Sequence, residues 1–193
     1  FVLERLNEGD INKVDSEMRR IAKVLNFGVI YGLSAHGITQ QTGFSREEGN
    51  NFIKTYFSKY PGIQNYLDKI KEFARENGYV ETLMGRRRYV PDIHSSNFNI
   101  RSAAERISIN MPIQGTAADI MKLAMINVYN NLESTSLESK ILMQVHDELV
   151  FEVPTQELEP LKSIVVTEMP NAMDLDVDLK VETKQGPSWG DME

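Results

Sequence analysis

ILMQVHDELVFEV, residues 141–153, sets two β-rich runs, ILMQV and LVFEV, on either side of only His146, Asp147 and Glu148. β-branched and large apolar residues this close together, with a short polar connection, predict a tight antiparallel hairpin. The hairpin decides the fold class, because the rest of the chain reads mainly as helix. The expected architecture is α+β, with a mainly helical region and a small antiparallel sheet late in the chain. An Asp-Glu pair at such a tip has two readings. It is an ordinary solvated turn, or it is a place where carboxylates reach a divalent cation instead of being buried within a sheet.

Working backwards, residues 99–111 predict a helix, Pro112 an interruption, and GTAADIMKLAMINVYNNL a restart with Thr116 and Asp119 spaced like a capping box. YVETLMGRRRYVP alternates like a short hairpin around Met84-Gly85, closed by Pro91. Before it, a helix over 63–77 ends at Gly78 in the C′ position, and one over 46–57 is closed by KYPG. Residues 42–45 read as a turn. Residues 15–33 read as one helix, with Asp15 or Ser16 as N-cap and Met18, Ile21, Ala22, Leu25, Gly28 and Val29 on one side. Working forwards, residues 156–169 predict a helix and LDVDLKVE an alternating strand. There is no internal repeat or low-complexity segment.

The chain has 193 residues, 41% hydrophobic and 25% charged, enough for one domain with a core and a sub-domain, and unlike a disordered or fibrous chain. It has no cysteine, which removes disulfide frameworks and thiolate metal sites and fits a reducing cytoplasm. No apolar run approaches the roughly 18 residues of a membrane span, so no membrane partner is expected. The sequence opens on Phe1 and not Met, which reads as a piece of something longer. The net charge of -7 hides an asymmetry: residues 1–132 hold 17 Lys+Arg against 14 Asp+Glu, and residues 133–193 hold 4 against 14. Basic groups gather at Arg19, Arg20 and Lys23 and again at Arg86, Arg87 and Arg88.

On the first helix, Arg19, Lys23, Phe27 and Tyr31 recur every fourth residue, a band about 18 Å long beside the apolar face. Solvated cations and core aromatics would explain the row. So would a ligand track, with cations for phosphates and then aromatic surface for a sugar or base. The pattern R-x3-K-x3-F-x3-Y-G resembles motif B of the DNA polymerase I family, carried on its fingers helix. The resemblance implies that Arg19 and Lys23 contact the triphosphate of an incoming dNTP, that Phe27 contacts its sugar and base, and that Tyr31 stacks near the templating base. Gly32 would give the turn after the helix. Phe at position 27 is similar to family members that discriminate against dideoxynucleotides.

QVHDELV resembles motif C of the same family. By that resemblance Asp147 is a metal ligand, Glu148 an accessory acid and second metal contact, and His146 a primer or minor-groove contact. RISINMPIQGTAADIMKLAM resembles the helix between these motifs, implying DNA contacts from Arg106, Asn110 and Gln114. GYVETLMGRRRYVPDI resembles the fingers-to-palm segment, in which Arg88 or a neighbour contacts backbone phosphate. The resemblance runs from about Asp15 to Trp189, with the motifs in the family's order.

It implies a fingers-like helical region with a hairpin over 15–98 and a partial palm with the metal-binding hairpin over 99–193, after an unmatched segment over 1–14. The implied activity is template-directed transfer of dNMP to a primer 3′-hydroxyl with two Mg²⁺ ions, catalysed through Lys23, Asp147 and Glu148. Primer-template DNA and dNTP are the implied partners, in the cytoplasm at the nucleoid. One element is missing. The family's motif A, of the type D-x-S-x-I-E-x-R, has no counterpart in FVLERLNEGDINKV, where Glu4-Arg5 is too slight a match. The thumb is not represented either. Two-metal chemistry needs carboxylates from separate elements, so the chain alone is expected to lack normal activity and to need the missing polymerase portion as partner. A non-catalytic nucleotide or primer-template binding module, one half of a split polymerase, and a helical interaction domain stay open beside it.

Overall fold

The computed structural model describes residues 14–192; the unmatched segment expected over 1–14, including Glu4-Arg5, lies outside these except for its last residue. The chain divides into two compact units, up to Ile113 and from Gln114.

In the first unit, α1 (Ser16–Ile30) starts where the Asp15 side chain accepts from the Met18 backbone N–H at 2.7 Å. It buries Met18, Ile21, Leu25 and Val29, one stripe at helical spacing. Its end is a Schellman motif: Gly32 takes φ 79°, its N–H bonds the Val29 carbonyl at 3.1 Å, and the Leu33 N–H reaches back to the Gly28 carbonyl at 2.7 Å. A short helix, α2 (Ala35–Thr42), follows at once. Then α3 (Arg46–Lys59) opens with a complete capping box between Ser45 and Glu48. Together with Ile63, these helices close a core of Ile21, Leu25, Val29, Ile38, Phe44 and Tyr56.

α4 (Pro61–Asn77) begins directly after Tyr60 because Pro61 occupies the first helical position, where its missing N–H costs nothing. KYPG is thus a junction of two helices and the expected start at 63 moves back to Pro61. Gly78 ends α4 at φ 74°, as expected. The strands β1 (Tyr79–Glu81) and β2 (Arg87–Tyr89) pair antiparallel around a loop in which Gly85 takes φ 78°. A second core joins Ala74, Val80, Val90 and Ile93 to Ala104 and Met111 of the next helix.

That helix, α5 (Phe98–Glu133), runs unbroken through Pro112. The expected interruption and restart do not occur, and Thr116 and Asp119 are buried inside the helix instead of capping it. Proline removes only the bond its own N–H would make to the Ser108 carbonyl, at a cost of about 3 kcal/mol. The burial of Ala104, Ile109, Met111, Met121, Ala124, Val128 and Leu132 along the same helix offsets it.

In the second unit, β3 (Lys140–Val145) and β4 (Glu148–Glu152) form the expected antiparallel hairpin, with a bulge between Ile141 and Met143. The turn is His146-Asp147 alone, since Glu148 already pairs with Val145. α6 (Leu158–Glu168) supplies Leu161 and Val165 to a core with Val128 and Leu132, onto which Ile141, Phe151 and Val181 pack. Residues 175–182 do not form the expected strand: among the described residues no strand lies beside them, and Val177 is exposed. Alternation alone cannot hold an extended segment without a ladder partner. Mostly helix with two small antiparallel sheets among the described residues, the fold is α+β as expected. No described helix is long and apolar enough to cross a membrane.

Candidate nucleotide groove and carboxylate hairpin

The apolar stripe of α1 turns Met18, Ile21, Leu25 and Val29 inward, and this leaves Arg19 and Lys23 exposed and Tyr31 half-buried. Phe27, at 53% exposure, is a large apolar ring that the core does not take up. The row is therefore a surface feature, not part of the packing. Lys23, Phe27 and Tyr31 line an open groove of about 350 Å³ together with Val24, Gly28 and Leu33. Arg106 and Gln41 complete the lining. Arg19, one turn earlier, is not among the lining residues. Arg106 belongs to α5, where its Nη1 donates to the Ser102 hydroxyl at 3.0 Å. Its aliphatic stem approaches the αL glycine of α1, since a Cβ on Gly32 would lie 3.4 Å from its Cγ. Sequence reading grouped Arg106 with the DNA contacts; the fold sets it in the same groove as Lys23, Phe27 and Tyr31.

The groove floor depends on glycine. A Cβ at Gly28 would meet Leu33 Cδ2 at 2.6 Å, and one at Gly37 would overlap Leu33 Cδ1 and lie 2.9 Å from its Cγ. Leu33 is clasped between two helices that can approach only because both contact positions lack side chains. Neighbouring Arg20 does not join the row: it pairs with Glu17 at 2.7 Å and donates to the Gln41 carbonyl, tying α1 to the end of α2. The Glu17 carboxyl is held below its ordinary range by the hydrogen bond from Arg20. Sequence reading missed Leu33 and Gln41. Leu33 sits beyond the repeat of four, and Gln41 belongs to a helix too short to show a period.

On α5, Asn110 lies one turn after Arg106, and its buried Oδ1 has no hydrogen-bond partner among the described residues. Packing alone rarely leaves such an acceptor empty. Gln114, four residues on, is exposed. The β1–β2 hairpin presents Arg86, Arg87 and Arg88, all exposed. Arg87 is engaged locally, 3.2 Å from Glu81 and 4.4 Å over the Tyr79 ring. The Arg88 side chain has no hydrogen bond or ion pair among the described residues.

In the second unit, the two-residue turn of His146 and Asp147, together with Glu148 at the first position of β4, forms the solvent-exposed tip of the hairpin. His146 takes φ 54°, the sole non-glycine residue at positive φ among those described. Gln144 Nε2 donates to its carbonyl at 2.8 Å. Neither the Asp147 nor the Glu148 side chain has a hydrogen bond or ion pair among the described residues. Two hard oxygen donors free of cation partners suit Mg²⁺, which takes one or two carboxylates and completes its shell with water and phosphate. Among the described residues no group of three or more His, Asp or Glu gathers to hold a metal.

The model of DNA polymerase family A matches residues 2–191. The chain is 52% identical over 180 residues to DNA polymerase I of Caldicellulosiruptor bescii, covering 93% of this chain and 21% of that one. It is 48% identical over 180 residues to DNA polymerase I of Bacillus subtilis, covering 93% and 20%. Among solved structures, the POL domain of Pol1 from M. smegmatis, in complex with DNA primer-template and dNTP, superposes with a TM-score of 0.85 at 46% identity, over 93% of this chain and 32% of that one. The chain thus spans about a fifth of the length of these curated relatives. With nearly every residue inside the family match, the chain belongs to DNA polymerase family A.

Proposed function

We propose that this chain is the nucleotide-binding and metal-binding portion of a DNA-directed DNA polymerase, with a fingers-like region over 15–98 and a palm-like region over 99–193. The observation that carries the reading is the groove along α1, cationic at Lys23 and aromatic at Phe27 and Tyr31. Arg19 and Lys23 bind the triphosphate of a dNTP, and the Lys23 ammonium balances charge that builds on the phosphoryl oxygens during transfer. Phe27 offers its exposed ring to the sugar and base, and Tyr31 stacks at the templating end. Arg88, Arg106, Asn110, Gln114 and His146 contact primer-template DNA, with Arg88 on phosphate and the Asn110 Oδ1 as an acceptor for a groove-edge donor.

Asp147 and Glu148 are the residues that hold Mg²⁺. When bound, the cation supplies Lewis-acid stabilisation and lowers the pKa of the attacking hydroxyl. A pair of ions needs carboxylates from more than one element, and the described residues bring no third carboxylate to the tip. The chain by itself therefore does not extend a primer. The relative solved with primer-template and dNTP supports the choice of ligands.

The test is calorimetric titration of the chain with dTTP and dTMP. The expected result is a clear preference for triphosphate that falls at least tenfold in Lys23→Ala. Equal affinity for dTTP and dTMP, untouched by that substitution, would sink the nucleotide reading. Primer extension by the purified chain with Mg²⁺, lost in Asp147→Asn, would sink the claim that it is inactive alone.

A further inference from the structure

Two-residue hairpins use one of two primed turns. Both need positive φ at the first central residue, and they differ at the second, which is positive in type I′ and negative in type II′. The two interconvert by flipping the single peptide between the central residues. Here His146 has φ 54° and Asp147 is not at positive φ, so the φ signs exclude type I′ and are those of type II′. Asp tolerates the left-handed region better than most residues. Type I′ is thus an accessible alternative for this sequence, and adopting it would re-aim the Asp147 side chain.

The carbonyl that swings in this flip is the one on His146, and it accepts from Gln144 Nε2 at 2.8 Å. Gln144 is exposed, so burial does not demand the bond. We propose that Gln144 is a positioning residue: its amide locks the His146–Asp147 peptide in the II′ state and so fixes the direction in which Asp147 presents its carboxylate. The proposal rests on the reading of Asp147 as a metal ligand. A neutral hydrogen bond biases such a two-state turn by roughly five- to tenfold, and residues that orient metal ligands commonly change metal affinity by about tenfold or more.

The experiment is NMR on the full chain, comparing wild type, Gln144→Met and Asp147→Asn. Backbone NOEs across the His146–Asp147 peptide report the turn state, cross-strand NOEs report hairpin integrity, and paramagnetic broadening by Mn²⁺ reports metal affinity at the tip. In Gln144→Met a second turn state is expected, with Mn²⁺ affinity lowered about tenfold and the Val145–Glu148 and Gln144–Leu149 pairings retained. An unchanged turn with unchanged affinity in that variant overturns the proposal. If wild type shows no broadening that Asp147→Asn abolishes, the metal role of Asp147 is overturned, and the NOEs then decide separately whether Gln144 sets the turn.

Discussion

Gly37 lies in the first turn of α2, where ordinary propensity would replace it with alanine for a gain of up to about 1 kcal/mol. Its place against Leu33 reverses that sign. A Cβ there would lie 2.9 Å from Leu33 Cγ, which cannot swing away without moving the whole side chain. Gly37→Ala is expected to destabilise the first unit by about 1–3 kcal/mol through overpacking. In a Leu33→Ala background the same change should become neutral or stabilising, and urea titrations of the four variants would measure the coupling. Lys23 behaves in the opposite way: it is exposed and outside the core, so Lys23→Ala should leave stability within about 0.5 kcal/mol by thermal melting. The row from Arg19 to Tyr31 was legible in the sequence because its spacing matches the helix and its residues differ from the stripe beside it. Leu33 was not, because its role comes from two glycines that meet only once the chain has turned at Gly32.

At the scale of elements, the β3–β4 hairpin is anchored through Glu157, which is buried in the 3₁₀ turn before α6. Its carboxylate accepts from the backbone N–H groups of Glu138 at 3.0 Å and Ser139 at 2.9 Å, and from the Ser139 hydroxyl at 2.6 Å. The Glu138 backbone bond first, then the Ser139 hydroxyl, hold its pKa below the ordinary 4.5. Because the folded value is depressed, the stabilisation is fully present above the unfolded value and is lost as pH falls through the folded one. Urea unfolding of wild type and Glu157→Gln should therefore differ most near neutral pH, and the difference should shrink as pH falls below about 4.5 and close only once it has passed the lower folded value. The tip carboxylates were visible from the hairpin pattern, while this clamp was hidden because Glu157 and Ser139 lie 18 residues apart. Pro112 misled for a related reason. Local rules break a helix at proline, yet the buried residues on both sides of it keep α5 continuous. The strand expected over 175–182 failed because alternation predicts a face and not a partner.

For the whole molecule, net charge is a poor guide to partners. Residues 1–132 carry the excess of Lys+Arg, 17 against 14, while the acidic remainder sets the total at -7. If Arg88 meets phosphate as proposed, DNA retention should weaken with salt, and Arg88→Ala should reduce the slope of log affinity against log salt by about 1. Filter binding of a primer-template across a salt series would measure it, and a flat response would remove the phosphate contacts from the reading.

Each described sheet is made of two strands that follow one another in the chain, closed across residues 82–86 and 146–147. No described strand waits for a partner brought from far along the sequence, so the entropy of closing long loops is largely avoided. Hairpins of this kind form in microseconds and helices faster still. Refolding from urea should then show its main fluorescence phase within milliseconds in a stopped-flow experiment, at the pace of helical proteins and not of β-sandwiches. A segment that assembles from near neighbours in this way emerges from synthesis able to order its own hairpins as they appear.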